Sequence, residues 1–203
     1  MPTSSPNAPA EIKRDNLVRT LATLLDGDTR TVVLEGPDGI GKSTLLSQFA
    51  RAYEDRSILL SVSNASRWSQ DPERLAYELA ILASNKLGRP EPPLEDITRR
   101  LVARLLVELD RRARRDGRPY YVILDGLDEL DLDTVQSHSE LLDLLPFGGD
   151  GFRFLLAGEL ARLPLPEQVV RAAKPFQVAF LNREESAAYL ADIPASHSFL
   201  DNI

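Results

Sequence analysis

Residues 31–44 read TVVLEGPDGIGKST. A short apolar strand, 31–35, runs straight into the pattern G-x-x-x-x-G-K-[ST], with Gly36, Gly41, Lys42 and Ser43 in the fixed places, and a helix is expected from about Lys42 to Tyr53. The strand before and the amphipathic helix after separate this pattern from a chance glycine-rich turn. The glycines let the backbone wrap closely around phosphate oxygens. The loop N–H groups and the helix N-terminus both present positive dipole ends there. Residues Gly36, Pro37, Asp38, Gly39, Ile40, Gly41, Lys42, Ser43 and Thr44 are therefore expected to cradle the phosphates of a nucleotide. Lys42 is expected to reach the β- and γ-phosphates, and the Ser43 hydroxyl to ligate Mg²⁺.

Residues 120–130, YYVILDGLDEL, carry the second half of the same chemistry. An apolar run ends in Asp125, and Asp128 and Glu129 follow. Three carboxylates so close repel one another, and a dication with a lysine beside it offsets that repulsion. Asp125 fits the strand-end acid that holds Mg²⁺, usually through water. Its other reading is a helix N-cap or loop acid. Gly126 keeps the space beside Asp125 open. A second carboxylate, Asp128 or Glu129, is placed to orient and polarise an attacking water. Spacing alone does not choose between the two.

Further outward, strand-like and helix-like stretches alternate, the pattern of a parallel sheet with helices on both faces. Residues 11–26 have helical periodicity in Ile12, Leu17, Leu21, Leu24 and Leu25. A strand is expected at 57–62. A helix then opens at Asp71 and Pro72, with Asp71 as N-cap. GRPEPP, 88–93, reads as a loop. Residues 94–115 read as one long helix with the apolar face Leu94, Ile97, Leu101, Leu105 and Leu109. Strands follow at 120–125, 152–157 and 176–180. LPLPEQ, 163–168, reads as a turn and helix start, and a last helix runs from about Arg183 to Leu190.

The run VILDGLDEL resembles the corresponding region of NACHT-type STAND ATPases, in which a hydrophobic strand is followed by Asp, a small residue, a hydrophobic residue and two acids. GPDGIGKSTLL, the lead-in IKRDNLVRTLATLL and the later VAFLNREESAAYL are similar to the same family. The resemblance covers roughly residues 11–191, and only the two nucleotide motifs in it are specific. It implies an α/β P-loop NTPase, a three-layer sandwich. Its five-stranded parallel sheet has the order 5-1-4-3-2 and the phosphate-loop strand in the middle. It also implies a domain that binds ATP with Mg²⁺, hydrolyses it slowly, and uses the ATP or ADP state to control self-association in signalling, including immunity and defence. The chain departs from the family at the end of the fourth strand. There many relatives have a γ-phosphate-sensing arginine and this chain has Ala157-Gly158-Glu159, with Arg162 a turn later. The helical and winged-helix domains of relatives have no counterpart before Ile203. On that basis the chain is expected to be a fragment, with a disordered arm at 1–10, the nucleotide-binding domain at 11–191, and a tail or the start of a lid at 192–203.

Composition narrows the rest. The 203 residues suffice for one α/β domain with a real core. Absence of cysteine excludes disulfides and thiolate metal sites. That absence fits a cytoplasmic protein, and no apolar run is long enough to span a bilayer. The net charge of −7 argues against nucleic acid as the main partner. The basic cluster Arg111, Arg112, Arg114 and Arg115 reads as a solvated helix end favoured by the macrodipole, or as a cation lent to a neighbour. Trp68 reads as a half-buried loop anchor, and His138 and His197 as surface residues. Guanine specificity commonly uses N-K-x-D, and the nearest match, Asn182-Arg183-Glu184-Glu185, lacks the lysine and the aspartate. An AAA+-like ATPase acting on nucleic acid, and a binding module without useful turnover, are the alternative functions.

Overall fold

The computed structural model describes residues 12–61, 72–127, 142–181, 183 and 185–187. Five strands, β1 (Thr31–Glu35), β2 (Ser57–Ser61), β3 (Tyr120–Asp125), β4 (Phe152–Ala157) and β5 (Lys174–Gln177), form one sheet. The described helices are α1 (Asp15–Asp26), α2 (Lys42–Ala52), α3 (Pro72–Lys86), α4 (Arg99–Asp116) and α5 (Glu167–Ala172). Every strand pair is parallel. The order β2-β3-β4-β1-β5 is the expected one read from the other edge. The middle strand is β4 rather than the phosphate-loop strand, which lies between β4 and β5.

Burial on both faces explains why the central strands are continuous apolar runs. In β3, Tyr120, Val122 and Leu124 pack with α3 and α4, whereas Tyr121 and Ile123 pack with α1 and α2. Adjacent β4 divides in the same way, with Phe152, Phe154 and Leu156 to one side and Leu155 and Ala157 to the other. Each large apolar side chain so buried contributes about 1.5–3 kcal/mol.

Three boundaries differ from the sequence reading. The stretch 94–115 is not one helix: Leu94–Asp96 form a 3₁₀ turn, and Thr98 is extended. The Thr98 hydroxyl caps a new helix by accepting from the Leu101 N–H at 3.2 Å, a role that threonine fills well. The buried face of α4 is accordingly Val102, Leu105, Leu106, Leu109 and Ala113, and Leu94 is 71% exposed. The last strand ends earlier than its apolar run. Its partner β1 turns away at Gly36, so pairing stops after Val178 N–H donates to the Glu35 carbonyl, and Phe180 is 75% exposed. Pro175 is tolerated because β5 is an edge strand. Finally, α1 starts at Asp15, and Ile12 precedes it, its carbonyl accepting from Gln48 Nε2 at 2.5 Å.

Pro72 takes the first position of α3 as expected. Val62, Trp68, Asp71, Asp128, Glu129, His138, His197, the arm 1–10 and the tail 192–203 lie outside the described residues, as does most of the expected helix 183–190. Among the described residues no helix is long and apolar enough to cross a membrane.

Candidate nucleotide-binding site

The loop between β1 and α2 is shaped by glycine. Gly36, Gly39 and Gly41 all have positive φ, at 150°, 78° and 95°. Gly41 is the left-handed N-cap of α2 and makes no side-chain cap, so the first N–H groups of the helix face outward without a side-chain acceptor, as an anion site requires. At Gly36 a Cβ would stand 3.2 Å from Ile40 Cγ2, which holds that position to glycine. The Lys42 side chain, 12% exposed, folds back along the loop. Its Nζ donates to the Gly36 carbonyl at 2.8 Å and to the Pro37 carbonyl at 3.3 Å. Asp38 lies 3.6 Å from that ammonium and is fully exposed, so the pair is weak.

Ser43 and Asp125, 82 residues apart, meet here: the Ser43 hydroxyl donates to Asp125 Oδ1 at 3.0 Å. Both are hard oxygen donors. Mg²⁺ takes one or two protein oxygens and completes its shell with water and phosphate. Among the described residues no group of three or more His, Cys, Asp or Glu forms a metal cage. The two oxygens of Ser43 and Asp125 fit Mg²⁺ carried with a nucleotide. Beyond Asp125 the chain turns at Gly126, whose φ is 78°, and is anchored by the buried Leu127. Asp128 and Glu129 lie outside the described residues.

Above the loop lies a cleft of about 640 Å³. Gly36, Pro37, Asp38 and Lys42 of the phosphate loop line it, with Leu127 after β3, Gly158, Glu159 and Arg162 after β4, and Gln177 of β5. Glu35, the last residue of β1, ties the turn after β4 to β5. Its Oε1 accepts from the Leu160 N–H at 3.0 Å and its Oε2 from Gln177 Nε2 at 2.7 Å. The turn after β4 is tied in again where Gly158 N–H donates to the Leu34 carbonyl at 3.1 Å. Arg162 Nε lies 3.0 Å from Glu159 Oε2. Sequence reasoning passed over Glu35 and Gln177 and set Arg162 aside. A polar residue closing a buried strand was a readable signal for Glu35. Nothing local announces Arg162, because its place depends on how the turn is anchored.

The arginines near the end of α4 stand elsewhere. That helix leads through Gly117 into the amino end of β3, whereas the cleft is at the carboxyl ends. Arg112 donates to the Lys86 carbonyl at 2.9 Å, Arg114 pairs with Asp110 at 2.5 Å, and Arg115 with Asp116 at 3.1 Å. The solvated helix end is the reading that these contacts support.

No curated protein matches the sequence. Among solved structures the chain is similar to Cdc6p from Pyrobaculum aerophilum, at TM-score 0.54 and 18% identity over 93% of this chain and 51% of that one. It is similar to the Aeropyrum pernix ORC2 protein in ADPNP–ADP complexes, at TM-score 0.51 and 18% identity over 92% and 54%. It is also similar to the Aeropyrum pernix ORC1 protein in complex with DNA, at TM-score 0.52 and 16% identity over 92% and 50%. At these identities the likeness is one of fold, and the chain spans about half the length of those structures. The model of the AAA ATPase domain matches residues 12–155, which hold the phosphate loop, Ser43 and Asp125. With that match over more than half of its length, the chain belongs to the AAA ATPase domain family.

Proposed function

We propose that residues 11–191 are the nucleotide-binding unit of a cytoplasmic STAND-type signalling protein. In this reading the unit binds ATP with Mg²⁺, hydrolyses it slowly and controls assembly by its nucleotide state. The observation that carries nucleotide binding is the Ser43–Asp125 contact beside Lys42. It brings two distant motifs to one point, in the arrangement that phosphate and a dication require. Lys42 would trade its loop carbonyls for phosphate oxygens, and Ser43 and Asp125 would hold the metal. Mg²⁺ held there would supply positive charge that offsets the phosphates. Asp128 or Glu129 would position the attacking water. The STAND assignment rests on the run VILDGLDEL, with its two acids beyond Asp125.

A second reading, an AAA+ ATPase acting on nucleic acid, is favoured by the family match and by a fold shared with an ORC1 protein in complex with DNA. The net charge of −7 weighs against it. Both readings need nucleotide at the same cleft.

One experiment combines calorimetry with single-turnover phosphate release, with and without DNA. Lys42→Ala is expected to lose ATP binding while keeping the fold, because a charge-assisted phosphate contact is worth about 1.5–3 kcal/mol. Asp128→Asn or Glu129→Gln is expected to keep binding and lower turnover, since a water-positioning acid matters chiefly in the transition state. Unchanged ATP affinity in Lys42→Ala would sink the site. Strong stimulation by DNA would select the second reading, and binding without any turnover would leave only a nucleotide-holding module.

A further inference from the structure

One side of α4 is buried through Val102, Leu105, Leu106, Leu109 and Ala113. The opposite side carries Arg100, Arg104 and Arg111, all exposed. Among the described residues none of the three has an ion pair or a side-chain hydrogen bond. At 3.6 residues per turn they fall on one stripe, about 16 Å long at the helical rise. Val107, 48% exposed, lies on that stripe between Arg104 and Arg111, with exposed Ala103 beside it. The acids that flank the stripe are engaged elsewhere. Glu108 pairs with Arg89 at 2.7 Å, and Asp110 accepts from the Gly151 N–H at 2.7 Å and pairs with Arg114. Like charges at i and i+4, as in Arg100 and Arg104, destabilise a helix. An unrelieved row of cations is a departure in a chain with 31 acids against 24 lysines and arginines. None of these residues lines the nucleotide cleft.

We propose that this stripe is a docking surface for a short acidic amphipathic helix of a partner protein. Carboxylates on the docked helix meet the three guanidiniums, whose planar forks suit them, and an apolar residue between those carboxylates covers Val107. Two features favour this occupant over nucleic acid. Val107 and Ala103 give the stripe an apolar middle, for which a phosphate backbone has no counterpart. The stripe is also short, on a chain of net charge −7. A duplex carries a charge about every 1.7 Å along its whole length and would run on past the row over an acidic protein. A helix of about three turns ends where the row ends. The contact is small, so the association is weak and salt-sensitive. Such a row selects its partner more than it tightens the complex. The proposal does not depend on the cleft and stands or falls apart from nucleotide binding.

The test is fluorescence anisotropy of this chain at low salt with labelled alanine-based helical peptides. They carry glutamates at the spacing of the three arginines and a leucine opposite Val107, with one peptide for each chain direction. Glutamine versions and a short labelled DNA duplex are the comparisons. One glutamate peptide is expected to bind, to weaken as salt rises, and to lose binding in its glutamine version. Combining Arg100→Gln, Arg104→Gln and Arg111→Gln should weaken that peptide roughly 10- to 100-fold, since each exposed pair is worth up to about five-fold and separate pairs add. The melting temperature should hold or rise, because like charges have been removed. Val107→Ser should weaken the peptide by about two- to four-fold. A control that removes the same charge elsewhere, Lys13→Gln with Arg19→Gln and Lys174→Gln, should stay within about two-fold of the parental chain. Four results would each overturn the proposal. These are no binding of either glutamate peptide, equal losses in the two triple variants, an affinity that ignores Val107→Ser, and tighter binding of the duplex that is lost with the three α4 arginines.

Discussion

The two walls of the cleft are built differently. The phosphate-loop wall is made of backbone: three positive-φ glycines, a helix start without a side-chain cap, and a lysine tied to two loop carbonyls. The wall after β4 is made of side chains, an exposed ion pair and a turn held by one carboxylate of β1. The backbone part of the phosphate-loop wall would meet mainly the phosphates that ATP and ADP share, while Lys42 would reach the terminal one as well. A side-chain wall can change partner. The division suggests a site where one side holds and the other side reports.

The first way to break this contrast is to weaken the holding wall through its metal pair. Asp125→Ala is expected to lower the Mg²⁺-dependent part of ATP and ADP affinity alike, by about 10- to 100-fold, the usual cost of losing a residue that supports a metal through its shell. Titrations at matched nucleotide with and without Mg²⁺ read this directly. An affinity that no longer responds to Mg²⁺ is the expected result. A response equal to that of the parental chain would remove Asp125 from the site.

Glu35 is the seam, and its loss should separate the walls. Leu160 N–H and Gln177 Nε2 would lose their acceptor, at a cost of about 1.5 kcal/mol in a half-buried setting. Glu35→Ala should show that loss in urea unfolding. It should leave ADP and triphosphate affinities within about two-fold, since the phosphate loop keeps its own bonds. A parallel fall in both affinities would mean that the two walls are one rigid unit.

How much of this was legible in the sequence follows the same division. Gly36, Gly41, Lys42 and Ser43 sit at fixed spacings because the loop is made by local backbone geometry, so the pattern could be read directly. Asp125 was legible only beside the phosphate loop, because the two motifs together point to one site, whereas alone it would read as a cap or loop acid. The strand order came from family resemblance, and the structure agrees except for which strand is central. What stayed hidden was non-local. The turn that brings Arg162 to the cleft is held in part by Glu35, 125 residues from Leu160. The break before α4 was a different kind of miss: Thr98 gave a local capping signal, and the apolar spacing of Leu94 and Ile97 outweighed it.

The smallest predicted effect tests the footing of the holding wall. Tyr121 is fully buried in β3, beneath the phosphate-loop helix. Its ring meets Phe49 of α2 edge-on at 5.0 Å, the Arg56 guanidinium lies 5.1 Å from its centroid, and its hydroxyl donates to Asp26 Oδ1. Burial, and then the hydrogen bond to Asp26, push the phenol pKa well above its ordinary value, which is near 10. Folded and unfolded chains both keep the phenol neutral below about pH 10, so its contribution is constant there. Above that pH the unfolded chain releases the proton first, and stability falls as pH rises toward the folded pKa. Tyr121→Phe keeps the ring packing and loses the hydrogen bond. It should cost about 1 kcal/mol at neutral pH and flatten the decline of stability above pH 10. Tyr120, whose pKa is also raised by burial, should leave part of that decline in place. Nucleotide affinity should stay within roughly two-fold, since the change lies away from the cleft. Denaturant melts at neutral and alkaline pH, paired with ADP titration, check all three expectations. A loss of ADP affinity without loss of stability would show that the backbone wall depends on the Tyr121 hydroxyl, and the contrast between a holding side and a reporting side would need a third part.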